Sequence, residues 1–298
     1  MDHRQDYERL DLLFRRATSL PVLPTTTAEL IKAIDKGEAT ASQLERIIQS
    51  DPGLTAEFLR IAAVRLPGQT SPAYSSIRGA IMVLGFKAVK SLATSLMVRH
   101  LLRKNALVEE FDAARFVRHS TTVAFLARYL YSRKQKLEPF DSQWSADEVF
   151  ALGLLSSLGL ALLAFVAPPD YFRIHRFAER AKCSLGSAFQ QIYGKPHELL
   201  CASAARTWGL ADDFHKALSH IHEPWAYEEE YTVLSCVAYA DYLAHRMSAT
   251  MESWETEPEK PIEAEAEVGI PDEEFEILKS VLTPQVDDLV DALFSKAA

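Results

Sequence analysis

The chain has 298 residues, 48% hydrophobic and 24% charged, with a formal net charge of −9. That length accommodates one large domain or two ordinary ones around a buried core, and the acidic balance argues against non-specific nucleic-acid binding because no basic excess exists to displace counterions from phosphates. Its three cysteines, Cys183, Cys201 and Cys236, lack metal-like or redox spacing and read as reduced, largely buried thiols of a cytoplasmic protein.

From the N-terminus, "MDHRQDYERL" is charged and shows no apolar core of a secretory signal. Thr40 with Gln43 forms a capping-box pattern ahead of "LERII", and Asp51 before Pro52 marks the start of a helix carrying Leu54, Phe58 and Ile61. Ser76 caps "IRGAIMVLG", which Gly85 stops. In the helix that follows, Lys87, Lys90, Arg99 and Arg103 read as a solvated face, with an acidic partner as the alternative, and Phe86 reads as core. A break falls near 103–110.

The next helix opens near Phe111 and puts Phe116, His119, Val123, Ala127 and Leu130 on one face. Ser145 and Glu148 make a second capping box. The apolar run Val149–Ala167 is long enough to span a bilayer, interrupted only by Ser156 and Ser157. Acidic Asp147 and Glu148 precede it and no basic cluster anchors it, so a central helix buried on all sides is the better reading. Helices are expected over 171–182, 184–193, 197–207, 211–221 and 228–247. The segment from Met251 to about 271 is rich in Glu and Pro and reads as a solvated loop. A closing amphipathic helix follows from about Asp272, with a break expected near Pro284. No stretch alternates with a strand period, and the expected class is all-α.

Several motifs in a fixed order carry a family likeness. "LPVLPTTTAELIKAID" with "LERIIQSDPGLTAEFLRIAA", then "SSIRGAIMVLGFKAVKSLATS", "RFVRHSTTVAFLARYL", "FALGLLSSLGLALLAF", "YGKPHELLCASAARTWGL" and "ALSHIHEP" together resemble the HDOD domain, a bacterial signalling module, over roughly Leu20 to Asp241. The resemblance implies an HD-domain-like architecture, with an N-terminal helical bundle (1–105) packed on an HD-like half (106–250), followed here by the acidic segment 251–271 and the helix 272–298.

HD-type phosphohydrolases, which share the fold, gather histidines and aspartates on one or two metals that activate water for attack on phosphorus. By that resemblance His119 stands at the first metal histidine, His197 and His222 at later histidine positions, and Asp241 at the terminal aspartate. Ser156 and Ser157 occupy the places of the central His-Asp pair, within "GLLSSLGLALL". A neutral hydroxyl is a weak ligand for a divalent ion and supplies none of the missing charge. These six positions therefore read as a vestigial metal pocket, with no catalytic residue, metal or cofactor expected. For His119 a core histidine bonded to a neighbouring helix is the plainer alternative. Asp241 either pairs with His119, His222 or the serines, or faces water.

No nucleotide-binding glycine loop or nucleophile elbow is present. The resulting expectation is a non-catalytic regulatory protein of a bacterial cytoplasm that acts on a protein partner, without nucleic acid or membrane. The alternatives are a residual metal-dependent phosphohydrolase using His119, His197, His222 and Asp241, and a nucleotide-binding sensor without turnover.

Overall fold

A computed structural model describes residues 25–37, 39–50, 110–208, 210–255 and 258–294, together with Leu13 and scattered positions between 54 and 108. Among these residues every regular element is helical. In chain order the helices are α1 (Thr25–Asp35), α2 (Ala41–Gln49), α3 (Ala113–Leu137), α4 (Ala146–Leu155), α5 (Leu158–Val166), α6 (Pro168–Ala181), α7 (Leu185–Tyr193), α8 (Glu198–Thr207), α9 (Asp212–Leu218), α10 (Tyr231–Arg246), α11 (Ile262–Val268) and α12 (Asp272–Phe294). The caps expected at Thr40 and Ser145 are both complete boxes, the side chain and main chain of each pairing with Gln43 and Glu148 respectively. Ser76 accepts the Gly79 amide, and Gly85 takes φ +79°, as a helix stop there requires. The Asp51–Pro52 start, and most of the 103–110 break, lie outside the described residues.

α3 is the central element. Asp112 caps it by accepting the Arg115 amide at 2.9 Å, and it packs along α4 on one side and α10 on the other. Gly153 sets the α3–α4 distance: a Cβ there would meet Ala124 Cα at 3.0 Å. The outer helix α12 docks on α3 through Glu274, which accepts from Tyr129 Oη at 2.5 Å and Arg133 Nε at 2.8 Å.

Three expectations need correction here. The oily stretch is two helices, not one: Ser156 Oγ donates to the Gly153 carbonyl at 2.8 Å, competing with the backbone ladder, and Ser157 at φ −94°, ψ 0° starts the next segment. Although Ala146–Val166 is apolar and long enough to cross a membrane, 89% of its apolar window is buried within the protein. Lys90 is not on a solvated face; it is 7% exposed, with Nζ 2.6 Å from Asp35 Oδ1 and 5.8 Å from the Phe214 ring centre, and so joins the N-terminal helices to α9. Phe86 is 36% exposed rather than core. Lys87, Arg99 and Arg103 fall outside the described residues.

The tail also differs. The 251–271 segment contains α11 and buries Met251, Glu252, Ala264 and Val268. α12 runs through Pro284 without a break. Its buried face, Phe275, Leu282, Val286 and Val290, holds the register that a missing amide would otherwise interrupt.

Candidate functional site

Five helices and one strap converge on a cleft of about 410 Å³. α3 brings His119, the α4–α5 break brings Ser157, the start of α8 brings His197 and Glu198, and the turn before Pro224 brings His222. α10 brings Asp241 and, one turn later, His245. The strap after α10 brings Met251 and Glu255. Five of the six expected positions therefore meet. Ser156 does not: its hydroxyl turns back onto the Gly153 carbonyl.

His119 is buried, with Nδ1 2.8 Å from the Ala249 carbonyl of the strap. A carbonyl only accepts, so Nδ1 carries the proton there, and Nε2 faces Ser157 Oγ at 3.2 Å and Asp241 Oδ1 at 3.1 Å. Of the two readings left open for Asp241, pairing is the one observed. Its side chain is 17% exposed, with Oδ2 3.7 Å from His222 Nε2. Burial alone would raise the Asp241 carboxyl, but the bonds from His119 and His222 hold it well below the usual carboxylate range.

His222 bridges two acids. Its Nδ1 contacts Glu198 Oε1 while Nε2 faces Asp241. Burial works against its charge, yet Glu198 and Asp241 raise it well above an ordinary histidine. In the same way burial would push Glu198 up, but His197 and His222 hold its carboxyl at about 2. Glu198 Oε2 is buried and has no hydrogen-bond partner. His197 sits at the N-cap of α8 in a slot only glycines permit: a Cβ at Gly159 would lie 2.2 Å from the His197 carbonyl oxygen, and one at Gly186 would lie 3.0 Å from its ring. Burial lowers its basicity, so it packs as a neutral imidazole.

The strap closes the cleft. Glu255 accepts from the Leu185 amide at the start of α7 at 3.2 Å and from the Met251 amide at 3.0 Å, and its Oε2 lies 3.7 Å from His245 Nε2. His245 Nδ1 donates to the Asp241 main-chain oxygen at 3.0 Å. Against the cost of burial, Glu255 and Asp241 raise His245 to about 9. Nearby, Trp254 packs edge-on against His175 at 4.7 Å. Glu252, 3.5 Å from His175 Nε2, is pushed up to about 7 by burial and by Glu255.

Sequence reasoning missed Glu198, His245 and Glu255. Glu198 adjoins a residue that was singled out, and His245 follows Asp241 by one helical turn; both spacings were visible. Glu255 lay in a segment that composition alone marks as solvated.

The sequence resemblance to HD-type phosphohydrolases implies a divalent metal here, and His119, Asp241 and His245 do bring ligand-type atoms within 4.8 Å of one another. The donor set nonetheless does not fit one. His245 Nδ1 spends its proton on a carbonyl and offers no lone pair. Both nitrogens of His222 face carboxylates, which only accept. Ser157 contributes a neutral hydroxyl. Of the three residues whose ligand atoms converge, His119 Nε2 and Asp241 remain, short of the three protein ligands a catalytic divalent site ordinarily uses.

A family model described as the HDOD domain matches residues 20–224. Solved structures with the same fold include a candidate phosphohydrolase of Shewanella amazonensis SB2B (TM-score 0.72, 20% identity, covering 94% of this chain and 97% of that one). An HDOD domain protein with unknown function from Geobacter sulfurreducens superposes at TM-score 0.71 with 18% identity, over 96% of this chain and 100% of the other. A candidate signal transduction protein of Marinobacter aquaeolei VT8 gives 0.69 and 18%, over 98% and 66%. No curated protein matches.

Proposed function

The chain belongs to the HDOD family, and we propose that it is a non-catalytic member, a cytoplasmic regulatory protein of a bacterium that works by contact with a protein partner. The observation that carries this reading is the α4–α5 break. Where a metal-dependent relative needs an imidazole and a carboxylate, one hydroxyl caps its own helix and the other bonds His119. Without that pair no bound water is brought to a nucleophilic pKa, and phosphoryl chemistry loses its attacking group. The surrounding scaffold is kept: the glycine slot around His197, the His119–Asp241 pairing and the His222 bridge are all in place. That is what a structural or sensing role for the cavity asks of it. On the outer surface, Met82 and Phe86 are exposed on either side of the Gly85 turn, which supports the 77–103 region as a face for a partner.

Turnover assays test the reading. Purified protein incubated with manganese, iron or zinc and a panel of cyclic dinucleotides, (p)ppGpp-type nucleotides and generic phosphodiesters is expected to release no product above a protein-free blank. Hydrolysis that disappears in Asp241→Ala would establish the residual phosphohydrolase instead.

A further inference from the structure

The strap over the cleft, residues 247–255, buries two glutamates in unlike surroundings. Glu255 is well paired: its carboxylate accepts from the Leu185 and Met251 amides and faces His245, with its side chain 2% exposed. Glu252 has no such support. Its side chain is 9% exposed, and among the described residues no hydrogen-bond donor reaches its carboxyl. Within ion-pair distance it has only His175, at 3.5 Å. That imidazole is a poor counter-ion, because burial lowers its basicity and leaves it neutral near pH 7.

The wider field at Glu252 is also acidic. Glu110, Asp112 and Arg115 stand at the head of α3, Tyr171 and Glu179 on α6, and Glu255 on the strap itself, so acids outnumber the single arginine. A carboxyl confined in that company keeps its proton while the strap is shut and releases it more readily in water. Burial and Glu255 push it up to about 7. Beside it the Trp254 ring packs edge-on against His175, yet its buried Nε1 has no acceptor among the described residues. Lifting the strap returns that N–H to water.

Both ends of the strap are fixed. Ser248, at φ +60°, turns the chain out of α10, and Glu255 is tied to α7 and to His245, which is raised to about 9 and stays charged near neutrality. Between these ends the Ala249 carbonyl covers His119 and the Met251 side chain lines the cleft. We infer that residues 248–254 form a pH-gated lid, shut over the cleft while Glu252 is protonated and lifted when Glu252 ionises, which frees His119 from the Ala249 carbonyl. Such gating needs neither turnover nor a bound ion, so it goes beyond the non-catalytic reading and stands or falls separately from it. Opening releases one proton and is therefore favoured as pH rises. With a glutamate of 4.5 when open and about 7 when shut, the open-to-shut ratio grows about tenfold between pH 6 and 8.

Hydrogen exchange of the full chain at pH 6 and 8, read by mass spectrometry and corrected for the intrinsic base-catalysed rate, tests this. Protection over 248–254, where Glu255 covers the Met251 amide, should fall about tenfold from pH 6 to 8 while α4 stays unchanged. Glu252→Gln, which keeps the shape and cannot ionise, should keep the strap protected at both values. His175→Gln should leave the pH dependence in place. Fluorescence gives a reading that needs no change at Glu252: the emission lost in Trp254→Phe should shift to longer wavelength in the wild type between pH 6 and 8. Equal protection at both pH values would overturn the inference. So would a pH effect that survives in Glu252→Gln, or one that disappears in His175→Gln. Phosphodiester turnover leaves all of these outcomes unaltered, so failure of the lid and failure of the non-catalytic reading are distinguishable.

Discussion

On one wall of the cleft, the α4–α5 break presents the Ser157 hydroxyl, while that of Ser156 turns back onto its own helix. On the opposite wall, α8, α10 and the strap present Glu198, Asp241, Glu255, His222 and His245 as interlocked charges. The first wall is neutral and held by close backbone packing. The second is held by ion pairs in a confined space. The charged wall answers to itself, because His222 and His245 take the place of external positive charge beside the carboxylates. The contrast teaches that confined carboxylates facing a neutral wall can be held in place if imidazoles rise to meet them.

The largest effect expected comes from breaking the neutral wall at its packing. Gly159→Ala places a methyl 2.2 Å from the His197 carbonyl oxygen, and should destabilise the protein by about 3 kcal/mol or prevent folding, since backbone cannot yield as a flexible side chain does. Thermal and urea denaturation read this out. On the charged wall, His222→Ala leaves the buried Glu198 carboxylate without its bridging partner. The cost should be about 2 kcal/mol, less than for a wholly buried pair because the His222 side chain is 40% exposed. Ser157→Ala removes only a hydroxyl bond to His119 and should cost about 1 kcal/mol. A serine variant more damaging than the histidine variant would reverse the assignment of the two walls.

A smaller, pH-dependent effect sharpens the picture of the strap. Glu252 is pushed up from an ordinary glutamate value of 4.5 to about 7. Between those two values the folded protein holds a proton that the unfolded chain has released, so this group's contribution to stability falls as pH rises from about 4.5 to 7 and is flat above. Melting temperatures of the wild type and Glu252→Gln, measured between pH 4.5 and 8, should therefore converge at the acid end and separate in favour of the variant at the alkaline end. Parallel curves would show that Glu252 does not hold its proton in the fold.

The two walls also differ in how far the sequence discloses them. The neutral wall was legible: two adjacent serines interrupt a long apolar run, and capping residues such as Ser145 and Thr40 announce their helices through local chemistry alone. What local pattern did not disclose was the break itself, because apolar residues continue on both sides of Ser156 and Ser157, and the turn of the Ser156 amide and hydroxyl onto the Gly153 carbonyl is a matter of local geometry. The charged wall was half legible. His119, His222 and Asp241 lie in motifs, but Glu255 reaches the site from a stretch whose Glu and Pro content resembles that of a solvated chain. Its burial depends on the Leu185 and Met251 amides and on His245, three partners that composition does not reveal. Lys90 went astray for a similar reason: helical spacing shows which side chains share a face, and not that Asp35 and Phe214 cover that face.

The metal question is settled most directly by elemental analysis of the wild type purified without chelator, set beside a Ser156→His/Ser157→Asp double variant that introduces an imidazole and a carboxylate at the α4–α5 break. The wild type is expected to carry manganese, iron and zinc far below stoichiometry, and the double variant to retain more. Stoichiometric metal in the wild type, lost on changing Asp241 to Ala, would contradict the claim that imidazoles have replaced the cation in this cleft.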